Sequence, residues 1–172
     1  DVIFKGSDAE WMSSEYRHMM AALGLPCDAF LPELKVKDAD AEAVRNRLRD
    51  AGVHGGYAVF CPFTTRLQKH WFVERWAALA GEIRERTNLS VVMLGGPGDV
   101  AAARSIANSA GNALHDLTGA TTLGQSMAAL QGADLIIGVD TGLTHMGTAF
   151  GRPTVALFGA TRPYLRTERD TT

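Results

Sequence analysis

The sequence predicts an α/β fold: a doubly wound parallel sheet with helices packed on both faces. Three observations carry that reading. Short apolar runs such as residues 135–139 are continuous instead of alternating, which suits a strand buried on both sides. These runs take turns with amphipathic stretches of helical period, and strands alternating with helices of that length make βαβ units. Residues 133–161 spell out one whole unit: a strand, a tight turn at Asp140-Thr141-Gly142, a short helix over 143–150 stopped by Gly151 and Pro153, and a strand over 155–158.

Taken in order, residues 2–4 read as the end of a strand. Ser7 or Asp8 is placed to cap a helix reaching to about Leu23, on which Met12, Tyr16, Met19, Met20 and Leu23 share one apolar face, suited to core or interdomain packing. Gly24, Pro26 and Pro32 break that pattern, and LPELKVKDAD, residues 31–40, reads as a linker with a charged exit. The alternation then runs helix 41–51, strand 57–61, loop 62–70, helix 72–86, strand 89–94, the turn Gly95-Gly96-Pro97-Gly98-Asp99, helix 100–110, strand 113–117 and helix 122–130. The last helix opens on a capping-box pair, Thr122 and Gln125.

With 172 residues the chain is long enough for one domain with a real core. Its 17 basic and 19 acidic residues leave a net charge of -2 with no basic block, which argues against nucleic acid as the main partner. Cys27 and Cys61 show neither metal-ligand spacing nor a disulfide framework, so no metal is expected and a cytoplasmic setting is the default. No apolar run approaches the length of a membrane span, and no signal-peptide pattern is present. Beginning at Asp1 and ending at Thr172 without a closing element, the chain reads as cut from something longer.

In a parallel sheet all strand-to-helix loops open on one edge, where ligands bind. The turn at Asp140-Thr141-Gly142 is the strongest candidate. The first amides of a helix have no internal partner and the dipole leaves that end partly positive, so the turn suits a phosphate. Gly142 permits close backbone approach and Thr141 adds a hydroxyl, although Asp140 or Thr141 equally reads as a plain N-cap. His145 shares a helix face with Thr141 and is placed to donate to a phosphate or a sugar hydroxyl, or else to a core carbonyl. In the loop PFTTRLQKH, residues Thr64, Thr65, Arg66 and Lys69 are placed to converge on phosphate oxygens, against the plainer reading of a solvated basic loop. Asp99 is suited to a pair of ribose hydroxyls or to capping. The hydroxyl-rich loop around 117–122 is placed to flank a base. One further pattern, Gly96-Pro97-Gly98-Asp99-Val100-Ala101 after a strand with Asp116 downstream, fits the dinucleotide fingerprint and suggests an NAD enzyme.

Together PFTTRLQKHWFVERWAALA, VVMLGGPGD and LTGATTLGQSMAALQGADLIIGVDTGLTHMGTAFGRPTVALFGAT, in that order and spacing, resemble glycosyltransferase family 9, the lipopolysaccharide heptosyltransferases. They cover most of residues 57–161, and DTGLTH looks more like the heptosyltransferase I branch than the DSGPMH form. The resemblance implies a GT-B fold, two Rossmann-like domains with the active site between them. This chain would hold the tail of the N-terminal acceptor domain (1–31), a linker (32–40) and the C-terminal nucleotide-sugar-binding domain (41–172). The implied donor is ADP-heptose and the acceptor a lipid A–Kdo-type glycolipid at the inner face of the inner membrane, reached through peripheral contact by the N-terminal domain; no separate cofactor is implied. By resemblance Lys69 contacts the diphosphate, with Thr65 in the same loop. Thr141, Gly142 and Leu143 hold it through hydroxyl and amide groups, flanked by Asp140 and His145. Asp99 stands where relatives often place a ribose-binding Glu, and Thr121 where they contact adenine. The family's general base is an Asp near the start of the N-terminal domain; no residue here matches it, so the catalytic residue is unknown. Two rival readings are the NAD-dependent enzyme and a non-catalytic nucleotide-binding module.

Overall fold

A computed structural model describes residues 19–26 and 33–160. The first helix of the sheet domain, α1 (Asp38–Asp50), carries Asp38 and Asp40 in its first turn and Arg47 and Arg49 in its last, which complements the helix dipole at both ends, and it buries Val44 and Leu48. It begins three residues before the expected start, because those aspartates favour a helix N-terminus. Strand β1 (Tyr57–Cys61) has the predicted bounds and is buried from its second residue on. Helix α2 (Val73–Thr87) buries Trp76, Ala80 and Ile83, spaced four and three apart, and stops at Asn88 in the left-handed conformation, φ 58°. Strand β2 (Ser90–Met93) and helix α3 (Val100–Ala110) follow.

Strand β3 (His115–Asp116) is shorter than the expected 113–117. Gly111 turns left-handed at the end of α3 and residues Gly111–Ala113 form a 3-10 turn, so only two residues are left to pair with β2 on the outer edge of the sheet. Helix α4 (Leu123–Gly132) opens on the predicted capping box: Thr122 Oγ1 accepts from the Gln125 amide and Gln125 Oε1 from the Thr122 amide, both at 3.2 Å. Strand β4 (Leu135–Val139), helix α5 (Gly142–Ala149) and strand β5 (Thr154–Leu157) complete the domain.

The five strands form one sheet in the order β3-β2-β1-β4-β5, all parallel. Residues alternate between its faces. Val59, Cys61, Val92, Leu94 and Ile136 pack with Val44 and Leu48 of α1 and Ala128 to Leu130 of α4. Ala58, Phe60, Val91, Met93, Ile137 and Val139 pack with Trp76, Ala80 and Ile83 of α2 and with Ala103 and Ile106 of α3. Helices therefore cover both faces, as doubly wound topology requires. Trp76 anchors the second layer, with its ring 4.9 Å from Phe60 and 5.2 Å from Trp71, the latter edge-on. The chain winds outward from β1 to β3, then returns to lay β4 against β1. That reversal is the switch point, outside whose carboxyl edge ligands bind.

The proposed helix over residues 8–23 lies mostly outside the described residues. Residues 19–22 are helical, and Met19 and Leu23 are 44% and 60% exposed, so neither joins the sheet domain's core. Among the described residues no helix is long and apolar enough to cross a membrane.

Candidate functional site

The site is built on the switch-point strands. Strand β4 ends at Val139, and the chain turns through Asp140 into α5. Gly138, one residue before the strand end, is obligatory there: a Cβ would run into Thr144 Oγ1 and Cys61. Buried Thr144 uses the room to donate its hydroxyl to Val139 O at 2.8 Å, tying the first turn of α5 to the strand end. Thr141 occupies the N-cap position in extended conformation but makes no side-chain capping bond. The plain-cap reading therefore fails for its hydroxyl. Gly142 is open, with nothing within 4 Å of where its Cβ would stand.

The neighbouring strand β1 supplies the second wall. Its loop carries a 3-10 turn, Leu67–Lys69, that the sequence pattern did not reveal, and His70 Nε2 lies 2.8 Å from Thr64 O across the loop. Lys69 Nζ donates to Asp140 Oδ2 at 2.5 Å, with both side chains only 16% exposed. Asp140 Oδ1 lies 3.0 Å from His145 Nε2, on a side chain 53% exposed. Lys69 is thus no solvated loop cation. Arg66, grouped with it on sequence, is exposed and does not line the cleft described below, since it leads into the 3-10 turn in extended conformation.

After β2, Asp99 Oδ2 accepts the Gly96 amide at 2.8 Å and closes the glycine turn on itself, so this carboxylate has a structural task whatever else it binds. Beyond β3, Thr121 Oγ1 and Ser126 Oγ are 2.9 Å apart. These loops enclose a cleft of about 720 Å³ along the carboxyl edge of the sheet, within the 300–1,000 Å³ range of small-molecule sites. Of the residues proposed from the sequence and the family resemblance, Thr64, Thr65, Lys69, Asp99, Thr121, Asp140, Thr141, Gly142, Leu143 and His145 line it, and Arg66 does not. Phe63, Leu94, Leu123 and Ser126, which sequence reasoning passed over, line it as well; their signal was position alone, at strand ends or the start of α4. Among the described residues no three His, Cys, Asp or Glu side chains gather as metal ligands would. Cys61, beneath the turn, is fully buried, and burial pushes its thiol up to about 12, so it is no nucleophile at neutral pH.

The dinucleotide fingerprint is displaced. Gly96-Pro97-Gly98-Asp99 follows β2, one strand away from the switch point, and its Pro97–Asp99 segment is a 3-10 turn. Asp116, the acidic residue the fingerprint needs for ribose, instead accepts the Thr118 amide of its own loop at 2.9 Å. The NAD reading is not favoured.

An all-parallel sheet wound on both faces, with a polar cleft at its switch point, defines the class: a Rossmann-like α/β domain of the kind that builds GT-B enzymes. Within that class the chain belongs to glycosyltransferase family 9 (heptosyltransferase), which it matches over residues 11–168. It is 34% identical over 111 residues to lipopolysaccharide heptosyltransferase 1 of Escherichia coli (strain K12), covering 64% of this chain and 34% of that protein. To the protein of the same name from Pseudomonas aeruginosa it is 36% identical over 121 residues, 69% of this chain and 33% of the other. Among solved structures, the family 9 glycosyl transferase of Veillonella parvula superposes with a TM-score of 0.83 at 22% identity over 94% of this chain and 47% of that one, a likeness of fold alone. E. coli heptosyltransferase WaaC with ADP superposes with a TM-score of 0.65 at 29% identity, over 96% of this chain and 48% of that one. The chain spans about a third of the length of the curated relatives it matches.

Proposed function

We propose that this chain forms the donor-binding part of a glycosyltransferase that moves heptose from ADP-heptose to the lipopolysaccharide inner core. The observation that carries the reading is the meeting of the Lys69 ammonium with the uncapped β4–α5 turn at one cleft, at the switch point. A cation and a helix N-terminus facing one space suit a diphosphate. In displacement at an anomeric carbon the diphosphate departs with growing negative charge, so the same groups would stabilise the transition state. Support for adenine and heptose comes from relatives: solved WaaC structures hold ADP and ADP-2-deoxy-2-fluoro heptose. In this reading Thr65, Lys69, Thr141, Gly142 and Leu143 hold the diphosphate, Asp99 the ribose, Thr121 the adenine edge, and Asp140 and His145 the sugar side. A hydroxyl of a lipid A–Kdo-type acceptor attacks, deprotonated by a general base outside this chain. The reaction would run at the cytoplasmic face of the inner membrane, with no cofactor beyond the nucleotide sugar.

Calorimetry with ADP, UDP and NAD in parallel tests the reading. ADP is expected to bind tightest. Tighter binding of NAD overturns it, and equal binding of ADP and UDP removes the adenine assignment while leaving the diphosphate.

A further inference from the structure

Asp140 and Asp99 put two carboxylates on the wall of a cleft proposed above for an anion. Asp99 faces its own loop through the Gly96 amide. Asp140 closes β4 at the centre of the site, where an unmatched negative charge would repel a diphosphate. Its two oxygens are both engaged, Oδ2 by Lys69 Nζ at 2.5 Å and Oδ1 by His145 Nε2 at 3.0 Å. The Lys69 and Asp140 side chains are 16% exposed, so solvent screens this pair weakly. A lysine stem without such a partner samples many rotamers, and ordering it then falls to the ligand. The imidazole is also constrained. A carboxylate oxygen only accepts, so the nitrogen facing it carries the proton; the neutral ring is the Nε2–H tautomer and Nδ1 is left as an acceptor.

We infer that Asp140 is a positioning residue: its carboxylate holds the Lys69 ammonium on one oxygen and the His145 ring on the other, so that the incoming diphosphate meets a cation already in place and a sugar hydroxyl meets an imidazole able to accept at Nδ1. The inference rests on the donor-site reading for its ligand, but its geometry belongs to the unliganded protein. A carboxylate that only repels and one that positions have opposite consequences. Removing the first tightens ADP binding; removing the second weakens it.

The test uses the whole 172-residue chain and ADP. Asp140→Ala is expected to weaken ADP binding about tenfold, and in a Lys69→Ala background to change it less than about threefold, since the two act as one unit. Tighter binding, or losses that simply add, overturn the inference. Nitrogen-15 spectra of the imidazoles in the ligand-free protein give a readout that a merely structural role would not move. His145 is expected as the Nε2–H tautomer in wild type, as a mixture in Asp140→Ala, and again as Nε2–H in Asp140→Asn, whose amide oxygen still accepts from the ring. If wild type binds no ADP, the donor-site reading fails alone; an unchanged His145 tautomer in Asp140→Ala overturns the positioning role whatever ADP does. Should Asp140→Ala melt, the isosteric Asp140→Asn takes its place in the ADP arm, with the same weakening expected because no charge is left to hold the ammonium.

Discussion

At the scale of single residues, Lys69 is the sharpest test of the site. Lys69→Ala should weaken ADP binding by about 1–3 kcal/mol, the range for a lost charge-assisted contact, and calorimetry would show it. The fold should survive, because the side chain touches the cleft and not the core. Gly142→Val should abolish ADP binding while the protein stays folded: apart from its own helical turn, nothing of the chain lies within 4 Å of the added Cβ, so what it crowds beyond that turn belongs to the ligand. Normal binding by that variant would move the phosphate elsewhere. Tyr57, at the opposite edge of the sheet, offers a test of stability. Its hydroxyl donates to Ala129 O at 2.8 Å, and burial, opposed by Arg152 and aided by Asp134, pushes the phenol up to about 12. The folded protein therefore favours the neutral phenol. This contribution is whole below the unfolded value near 10 and is lost as pH rises through about 12, at most about 2–3 kcal/mol. Denaturation followed from pH 9 upward should show the fall, and Tyr57→Phe should make it shallower. Of the residues themselves, the sequence and its family resemblance named many that meet at the cleft, though not Phe63, Leu94, Leu123 or Ser126, and not that Asp140 joins Lys69 to His145. Ion pairing across neighbouring strands depends on side-chain paths that no spacing rule encodes.

At the scale of elements, the strands were legible where burial was two-sided. Tyr57–Cys61 and Leu135–Val139 stand in the middle of the sheet and read as unbroken apolar runs with the correct bounds. His115–Asp116 was found but expected too long, at 113–117, since an edge strand of two residues with one partner leaves little pattern to set its ends. The 3-10 turn at Leu67–Lys69 was hidden for a related reason: three residues complete barely one turn and show no period. Helix α4 was legible through its cap, and the cap can be tested. Thr122→Ala should cost about 1 kcal/mol in thermal or urea unfolding, and should slightly weaken ADP as well, because Thr121 and Ser126 flank the same turn. A larger effect on function than on folding would mean the loop does more than start a helix.

At the scale of the whole molecule, parallel alternation predicted the layers and the edge on which ligands gather, whereas the family came from ordered motifs that composition and period do not contain. The activity expected of the chain follows from what its residues supply. With the proposed donor cleft but no match to the family's general base, it should turn over no ADP-heptose alone with a Kdo-bearing acceptor, and should gain activity when an N-terminal domain of a relative is added in trans. Turnover by the chain alone would place the base among its own residues, with His145 tested first by substitution. The strand order has one more consequence, for how the protein comes to fold. Strands β1 and β4 are neighbours in space, yet Lys69 and Asp140 lie 71 positions apart, with α2, β2, α3, β3 and α4 between them. Closing a loop that long costs roughly 4 kcal/mol of chain entropy beyond a constant, and contacts of that span form late. The β1–β2 and β2–β3 pairings can assemble first as a local unit, and the cleft comes into being only when β4 docks against β1. Competence to bind nucleotide should thus lag behind the recovery of helical signal in refolding, making the ligand itself a reporter of the last strand to arrive.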